Sequence, residues 1–350
     1  MQHISFVIVL GLLFAIIMRW GFKNLPEEKW QILASVPHYK KDNTTWAGTN
    51  FTFYGFFNAL AYTFATAILI ILLESIYIPL AGVTILIACI LGICIPASKI
   101  IARIVEKKSE TFTVSGASFA GILMTPLIIT GLNHITERGM GFSQPLSAVM
   151  AALAISYAFG EGIGRLACIS FGCCYGKPLS ECPQWMQRFM NNACFVFSGQ
   201  TKKISYSHGL EGRKVFPVQA VTSIIFCASG LVGVYLFLEG LHRTAFLQTI
   251  IVTQLWRLLS EMLRADYRGD GKISVYQVLS VLSVGLAIIF CCVFPSISLP
   301  EADIRAGLNS LWNAFVIVFL QAIFAYVFIH TGRSRVTAST MMFHVVRDRI

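Results

Sequence analysis

Apolar residues fall along this chain in long uninterrupted blocks: residues 4–18, 52–76, 78–97, 115–132, 146–163, 217–238, 246–261, 275–292 and 308–329. Within each block the apolar character is continuous rather than alternating, which predicts helices and not strands. Most blocks approach or exceed the roughly 20 apolar residues that carry a helix across a bilayer. Helices and closed barrels are the two structures that satisfy their backbone in lipid, and a barrel would need alternation. The predicted fold is therefore all-α, a polytopic integral membrane protein with about nine transmembrane helices. Block 4–18 lacks a basic start and an Ala-x-Ala-like cleavage site, and Arg19 follows it directly, so it reads as a retained helix. Residues 164–216 form the one large polar segment, and neither a repeat nor a low-complexity tract is present.

Composition agrees. The 350 residues are 56% hydrophobic and 13% charged, with a mean hydropathy of +0.70. A soluble chain carries about 25% charged residues, so water-soluble, disordered and disulfide-stapled secreted classes are excluded. The cations are also unevenly placed. With the spans alternating in direction, residues 19–50, 99–114, 164–216, the end of the seventh span with its loop to Lys272, and the C-terminal tail lie on one side. They hold 24 of the 27 Lys and Arg, leaving Arg138, Arg243 and Arg305 opposite. The positive-inside rule puts the basic side in the cytoplasm, the N-terminus outside and the C-terminus inside. The expected location is thus the cell (inner) membrane, multi-pass. Topology and attraction to anionic headgroups account for the net charge of +10. Nucleic acid is not an expected partner, because no soluble basic domain with interleaved aromatics is present.

Ionisable residues inside apolar helices cost several kcal/mol and mark candidate sites. Arg257, Glu261 and Arg264 are spaced i, i+4, i+7 on one helical face at the end of the seventh span. Glu261 can neutralise one guanidinium, which leaves an inward positive charge suited to a phosphate. An interhelical salt bridge with a positive-inside anchor is the plainer alternative. A second cluster runs from Glu161 through Arg165 to Cys168, Cys173, Cys174, Tyr175, Gly176 and Pro178, with Glu161 and Arg165 again i, i+4. Its glycines loosen the helix end and let backbone approach a ligand. By span count, Arg165, Arg264, Tyr54 and Ser118 reach the same membrane interface, where a phospholipid headgroup site would lie.

These residues resemble those of prolipoprotein diacylglyceryl transferases, seven-helix membrane enzymes that move diacylglyceryl from phosphatidylglycerol to a lipoprotein cysteine. Phe53-Tyr54-Gly55-Phe56 is similar to the start of that family's first helix, and Gly164-Arg165 through Tyr175-Gly176 to its Gly-Arg signature. Arg257, Glu261 and Arg264 fall on its second essential arginine and the acidic and basic residues after it. Ile273-Ser274-Val275-Tyr276-Gln277 resembles a helix start, and Pro217-Val218-Gln219 matches a Pro-x-Gln turn more weakly. The resemblance implies a core at residues 51–298, with an extra helix and basic linker at 1–50 and an extra helix and basic tail at 299–350. It implies catalytic roles for Arg165, Arg257, Glu261 and Tyr54, and substrate contacts from Arg264, Gly176, Ser118, Gln219 and Gln277. The implied partners are an anionic phospholipid and a protein or small-molecule thiol acceptor.

Several positions depart from the family. Ala120 stands where its histidine should be, Cys168 replaces an asparagine, and Cys173 replaces a glutamate. The family's active face looks outward, whereas the charge bias here puts the matching face inside. Two alternatives follow: a related phospholipid-dependent transferase with another acceptor, and a non-catalytic lipid-binding protein. Cys173 or Cys174, beside Arg165, is a candidate nucleophile with a lowered thiol pKa; small residues packing a helix end are the plainer reading.

No cofactor is expected. The polar segment's cysteines show no C-x-x-C pair, so no metal site is expected either. The EF-hand-like start at Asp266 has Arg268 in a ligand position and Gln277 in place of the terminal Glu, which excludes calcium. Asn43 and Asn50 head glycosylation sequons, and His134 and His242 read as plain surface residues.

Overall fold

A computed structural model of the chain describes residues 2–106, 114–140, 143–266, 273–294 and 299–350. The loop cations at 107–108, most of the EF-hand-like stretch after Asp266 and the expected core boundary at 298 fall outside these residues. Among the described residues, eight helices are long and apolar enough to span a bilayer. These are α1 (Gln2–Asn24), α2 (Phe53–Ser75), α3 (Leu80–Glu106), α4 (Val114–Met140), α5 (Leu146–Phe171), α8 (Val218–Leu238), α10 (Val275–Val293) and α12 (Ala314–Gly332).

The seventh expected span forms α9 (His242–Met262), which is long enough but carries a polar face of Thr249, Thr253, Gln254, Arg257 and Ser260. That face is buried against protein rather than offered to lipid, as polar groups at membrane depth must be. α9 packs on α8, α10 and α5 and returns across the bundle, because its end bridges Gly176 through Arg264. The expected last span is interrupted: α11 (Ile304–Ser310) stops, and the Asn313 side chain accepts from Phe315 N at 2.9 Å to start α12. An N-cap asparagine satisfies an orphan amide of the new helix and so favours the break.

α5 is the axis of the bundle. It runs between α2, α8 and α9, and its small residues, Ala148, Ala151, Ala152, Ala158 and Gly162, are buried along it. Close packing of small residues is the usual source of helix association where lipid supplies no hydrophobic drive. α12 leans on α2, where a side chain at Gly55 would strike the Gly332 backbone.

The chain is not purely helical. The expected linker folds into β1 (Ile32–Lys40) and β2 (Thr45–Thr52), and the expected tail into β5 (Arg333–Met342), giving an antiparallel sheet in the order β1-β2-β5. β5 alternates exposed with half-buried positions along Arg333–Met342, the half-buried strand pattern. Asn50, one of the two sequon residues, is buried there, accepting from Ser35 Oγ at 2.6 Å and donating to Thr337 at 3.2 Å. The polar segment carries α6 (Gln184–Met190), β3 (Phe195–Val196), α7 (Lys203–His208) and β4 (Lys214–Val215). It packs Tyr175, Phe195, Phe197 and Ile204 into a second apolar cluster with Leu25, Phe57, Leu166 and Ile169 at the helix ends.

Alternation of the spans survives. At one end the linker, polar segment, tail and the end of α9 meet: Gln31 donates to Thr201 O at 2.8 Å, β2 pairs with β5, and Lys177 N donates to Leu263 O at 2.9 Å. At the other end His3 meets Glu239 at 3.3 Å and Asp303 N donates to Ser75 O at 2.8 Å. His242 also lies there, buried against Phe237 with ring centroids 4.7 Å apart, and is not the surface residue the loop position suggested.

Candidate functional site

The site is assembled on the C-terminal half of α5. Tyr157, Glu161 and Arg165 follow one another at four-residue spacing and share a face. Glu161 is buried and pairs with Arg165, while the Arg257 guanidinium approaches the same Glu161 oxygen at 3.5 Å from α9. Arg257 also donates to the Tyr157 hydroxyl and to Ser115 Oγ at the start of α4, and lies over the rings of Tyr157 and Phe226 at 5.8 and 5.9 Å. One carboxylate thus serves two guanidiniums. The Arg165 Nε has no hydrogen-bond partner although it is buried.

This corrects the expectation that Arg257, Glu261 and Arg264 act as one stacked face. α9 ends at Met262, and Arg264 lies beyond it in a backbone bridge to Gly176. There Arg264 grips Asp266 with two bonds of 2.8 Å and stands 3.9 Å from Glu261. The inward charge left over therefore belongs to the Arg165–Arg257 pair and not to Arg264. Glu261 meets Ser274 Oγ at 3.4 Å. Gln277 completes a capping box with Ser274 at the start of α10 and donates to Leu258 O at 3.3 Å, so it positions α9 against α10.

The remaining expected residues distribute around this centre. Ser118 accepts from Gln254 at 3.3 Å, one turn before Arg257. Gln219 donates to Cys173 O at 2.9 Å, and its own Oε1 is buried without a partner. Gly176 is needed for packing, since any side chain there would strike the Phe216 carbonyl. Tyr54, in the first turn of α2, bonds Asn58 and packs on Phe171 at 5.5 Å between ring centroids. Ala120 is buried and offers no titratable group where the family's histidine would stand.

α5 ends in a Schellman turn. Gly172 is left-handed (φ 71°), its N–H donates to Ile169 O at 3.2 Å, and Cys173 N donates to Cys168 O at 3.0 Å. Cys174 follows at φ 54°, an uncommon conformation for a residue with a side chain. The turn folds the chain back, so the sulfurs of Cys168, Cys173 and Cys174 all lie within 4.8 Å of one another. Spacing rules for metal ligands missed this, because they look for pairs two residues apart and not for a helix end doubling back. Bonding to Cys168 and Cys174, together with burial, pushes the Cys173 thiol well above its ordinary pKa. That is opposite to the lowered thiol expected of a free nucleophile. Lys202 buttresses the turn: it is fully buried, and its Nζ donates to Ser170 O at 2.7 Å and Leu25 O at 3.2 Å. Burial lowers its pKa to about 8.

Tyr157 and Ser115 were not singled out as site residues from sequence. The four-residue ladder ending at Arg165 could have flagged Tyr157; nothing local marks Ser115, which arrives from α4.

No curated protein matches the chain. The family profile described as prolipoprotein diacylglyceryl transferase matches residues 44–293, which is 250 of the 350 residues and contains every residue of the arginine–glutamate and cysteine clusters. The chain therefore belongs to the prolipoprotein diacylglyceryl transferase family, as a multi-pass membrane enzyme that transfers diacylglyceryl groups in lipoprotein modification.

Proposed function

We propose that the donor is phosphatidylglycerol and the acceptor a prolipoprotein cysteine thiol. The supporting observation is that Arg165 and Arg257 share the single carboxylate of Glu161, which leaves about one positive charge at the buried end of α5. A phosphodiester carries one negative charge and accepts forked hydrogen bonds from guanidinium. In the reaction the thiolate sulfur forms a bond to the glycerol carbon that bears the phosphate. The carbon–oxygen bond breaks, and its electron pair leaves with glycerol phosphate. Arg165 and Arg257 face the charge that builds on the leaving phosphate, the kind of interaction that contributes most to many rate enhancements. Tyr54 and Gln219 would hold the headgroup from the two sides of the α5 end. Arg264 and Gln277 would keep α9 and the Gly176 bridge in place.

The test is turnover by the purified chain in phosphatidylglycerol-containing nanodiscs with a lipobox peptide that carries its cysteine. Release of glycerol phosphate together with a lipidated peptide is the expected result. Absence of both, with the chain folded, would overturn the reading.

A second acceptor class is suggested by the charge bias, which under the positive-inside rule would put the site's end of the bundle in the cytoplasm. There the thiol would be cytosolic and prolipoproteins out of reach. Labelling a reporter in the 177–214 segment in intact cells separates the two: an external segment supports the prolipoprotein, a cytoplasmic one the cytosolic acceptor.

A further inference from the structure

We propose that Cys168, Cys173 and Cys174 bind a zinc ion with one coordination position left open, and that this ion activates the acceptor thiol. The proposal rests on the transferase reading above. Tetrahedral zinc has Zn–S bonds of about 2.3 Å, which puts its sulfurs roughly 3.8 Å apart. The three sulfurs already lie within 4.8 Å of one another, so closing on a metal takes a shift of about 1 Å between them.

The cluster is held from outside itself. The Schellman turn presents Cys173 and Cys174 over the helix end that carries Cys168. Gln219 fixes the Cys173 carbonyl from α8, and Ile204 N donates to Gly172 O at 2.9 Å from α7. Charge is also met. Three thiolates and a divalent ion carry a net charge of about −1, less than three bare thiolates would, and Arg165 lies within electrostatic reach of Cys168 and Arg264 within reach of Cys174, although both guanidiniums already pair with carboxylates.

Three protein ligands define a site with an open fourth position. A thiol entering it loses its proton to solvent on coordination and remains a nucleophile. Its sulfur then forms the bond to the glycerol carbon while the phosphate leaves toward Arg165 and Arg257. No redox change is involved. The ion supplies the deprotonation that the acceptor thiol needs, and the carboxylate of Glu161 is already taken up by Arg165 and Arg257.

The experiment measures metal on the full chain purified without added metal. One zinc per chain by elemental analysis is expected. Loading the chelated, reduced chain with cobalt should give a thiolate-to-cobalt charge-transfer band. Cys168→Ser, Cys173→Ser and Cys174→Ser should each lose the band and lower transfer about 100-fold or more, the scale of a missing proton-removing group. Cys292→Ser, an exposed cysteine at the end of α10, should keep both. The wild-type measurements stand even if a variant fails to fold. A metal-free chain without a cobalt band sinks the proposal, as does copper in place of zinc or a disulfide within the trio. Full transfer by the chelated chain would sink it while leaving the transferase reading intact. A chain that binds zinc but transfers nothing would overturn the transferase reading and with it the ion's role in activating the thiol, leaving only the metal site.

Discussion

Arg257 and Arg264 sit seven residues apart, and by helical spacing they should be equivalent. They are not. Arg264 closes a local circuit: it grips Asp266 two residues on, and its backbone clamps Gly176. Its charge is balanced within its own loop. Arg257 stays in the helix, crosses to α5 and α4, and shares Glu161 with Arg165. Its charge is left partly unbalanced inside the bundle, which is costly unless a ligand supplies the missing anion. Equal spacing on a helix reports direction only while the helix lasts, and here it ends between the two residues.

The difference can be tested by substitution. Arg257→Ala and Arg165→Ala should lower transfer about 100- to 1,000-fold, the range seen when a donor to developing charge is removed, with insertion and elution unchanged. Wild-type turnover in either variant would end the phosphate reading. Glu161→Gln leaves two like charges facing each other and should destabilise the chain by about 3–5 kcal/mol. Much of that should return when the detergent micelle is doped with anionic lipid, and a melting temperature insensitive to lipid charge would argue against anion binding at the pair. Arg264→Ala should act chiefly on stability, and Asp266→Ala added to it should cost little more, because the two residues form one unit. Additive losses in that cycle would show that Arg264 has another task. Smaller still, Ser274→Ala removes a cap from α10 at a cost of about 1 kcal/mol, visible in a melt and barely in turnover.

The buried lysine gives a pH test of the same end. Below about pH 8 Lys202 is charged both in the folded and in the unfolded chain, and its burial costs stability. As pH rises from about 8 toward 10.5, the folded lysine gives up its proton while the unfolded one keeps it. Stability should therefore rise through that window by up to about 3 kcal/mol. Lys202→Met should flatten this part of the profile in chemical denaturation; an identical slope in wild type and variant would contradict it.

Much of this was legible beforehand. The apolar blocks placed the spans, since lipid imposes length and polarity on each one separately. The Glu161–Arg165 pair was legible because both lie on one helix. What escaped depended on partners far away in sequence: Ser115 and Tyr157 acquire meaning when α9 brings Arg257 to them. β5 escaped because its strand pattern is short and mixed with cations that read as a tail. The cysteine trio escaped because a left-handed glycine turns a five-residue spacing into contact.

The sheet at the site's end has a bearing on how the molecule is made. β2 runs directly into α2 and its Tyr54, with Phe53 N donating to Gln31 O at 3.1 Å. One edge of β2 pairs with β1 close by, but the other pairs with β5, which is made only after all the helices α1 to α12. The strand that leads into Tyr54 is synthesised early and completed late. Until β5 is made, the open edge of β2 must wait in the membrane interface, and a product cut short before residue 333 would hold every helix matched by the family profile yet lack the strand that closes the sheet beside Tyr54.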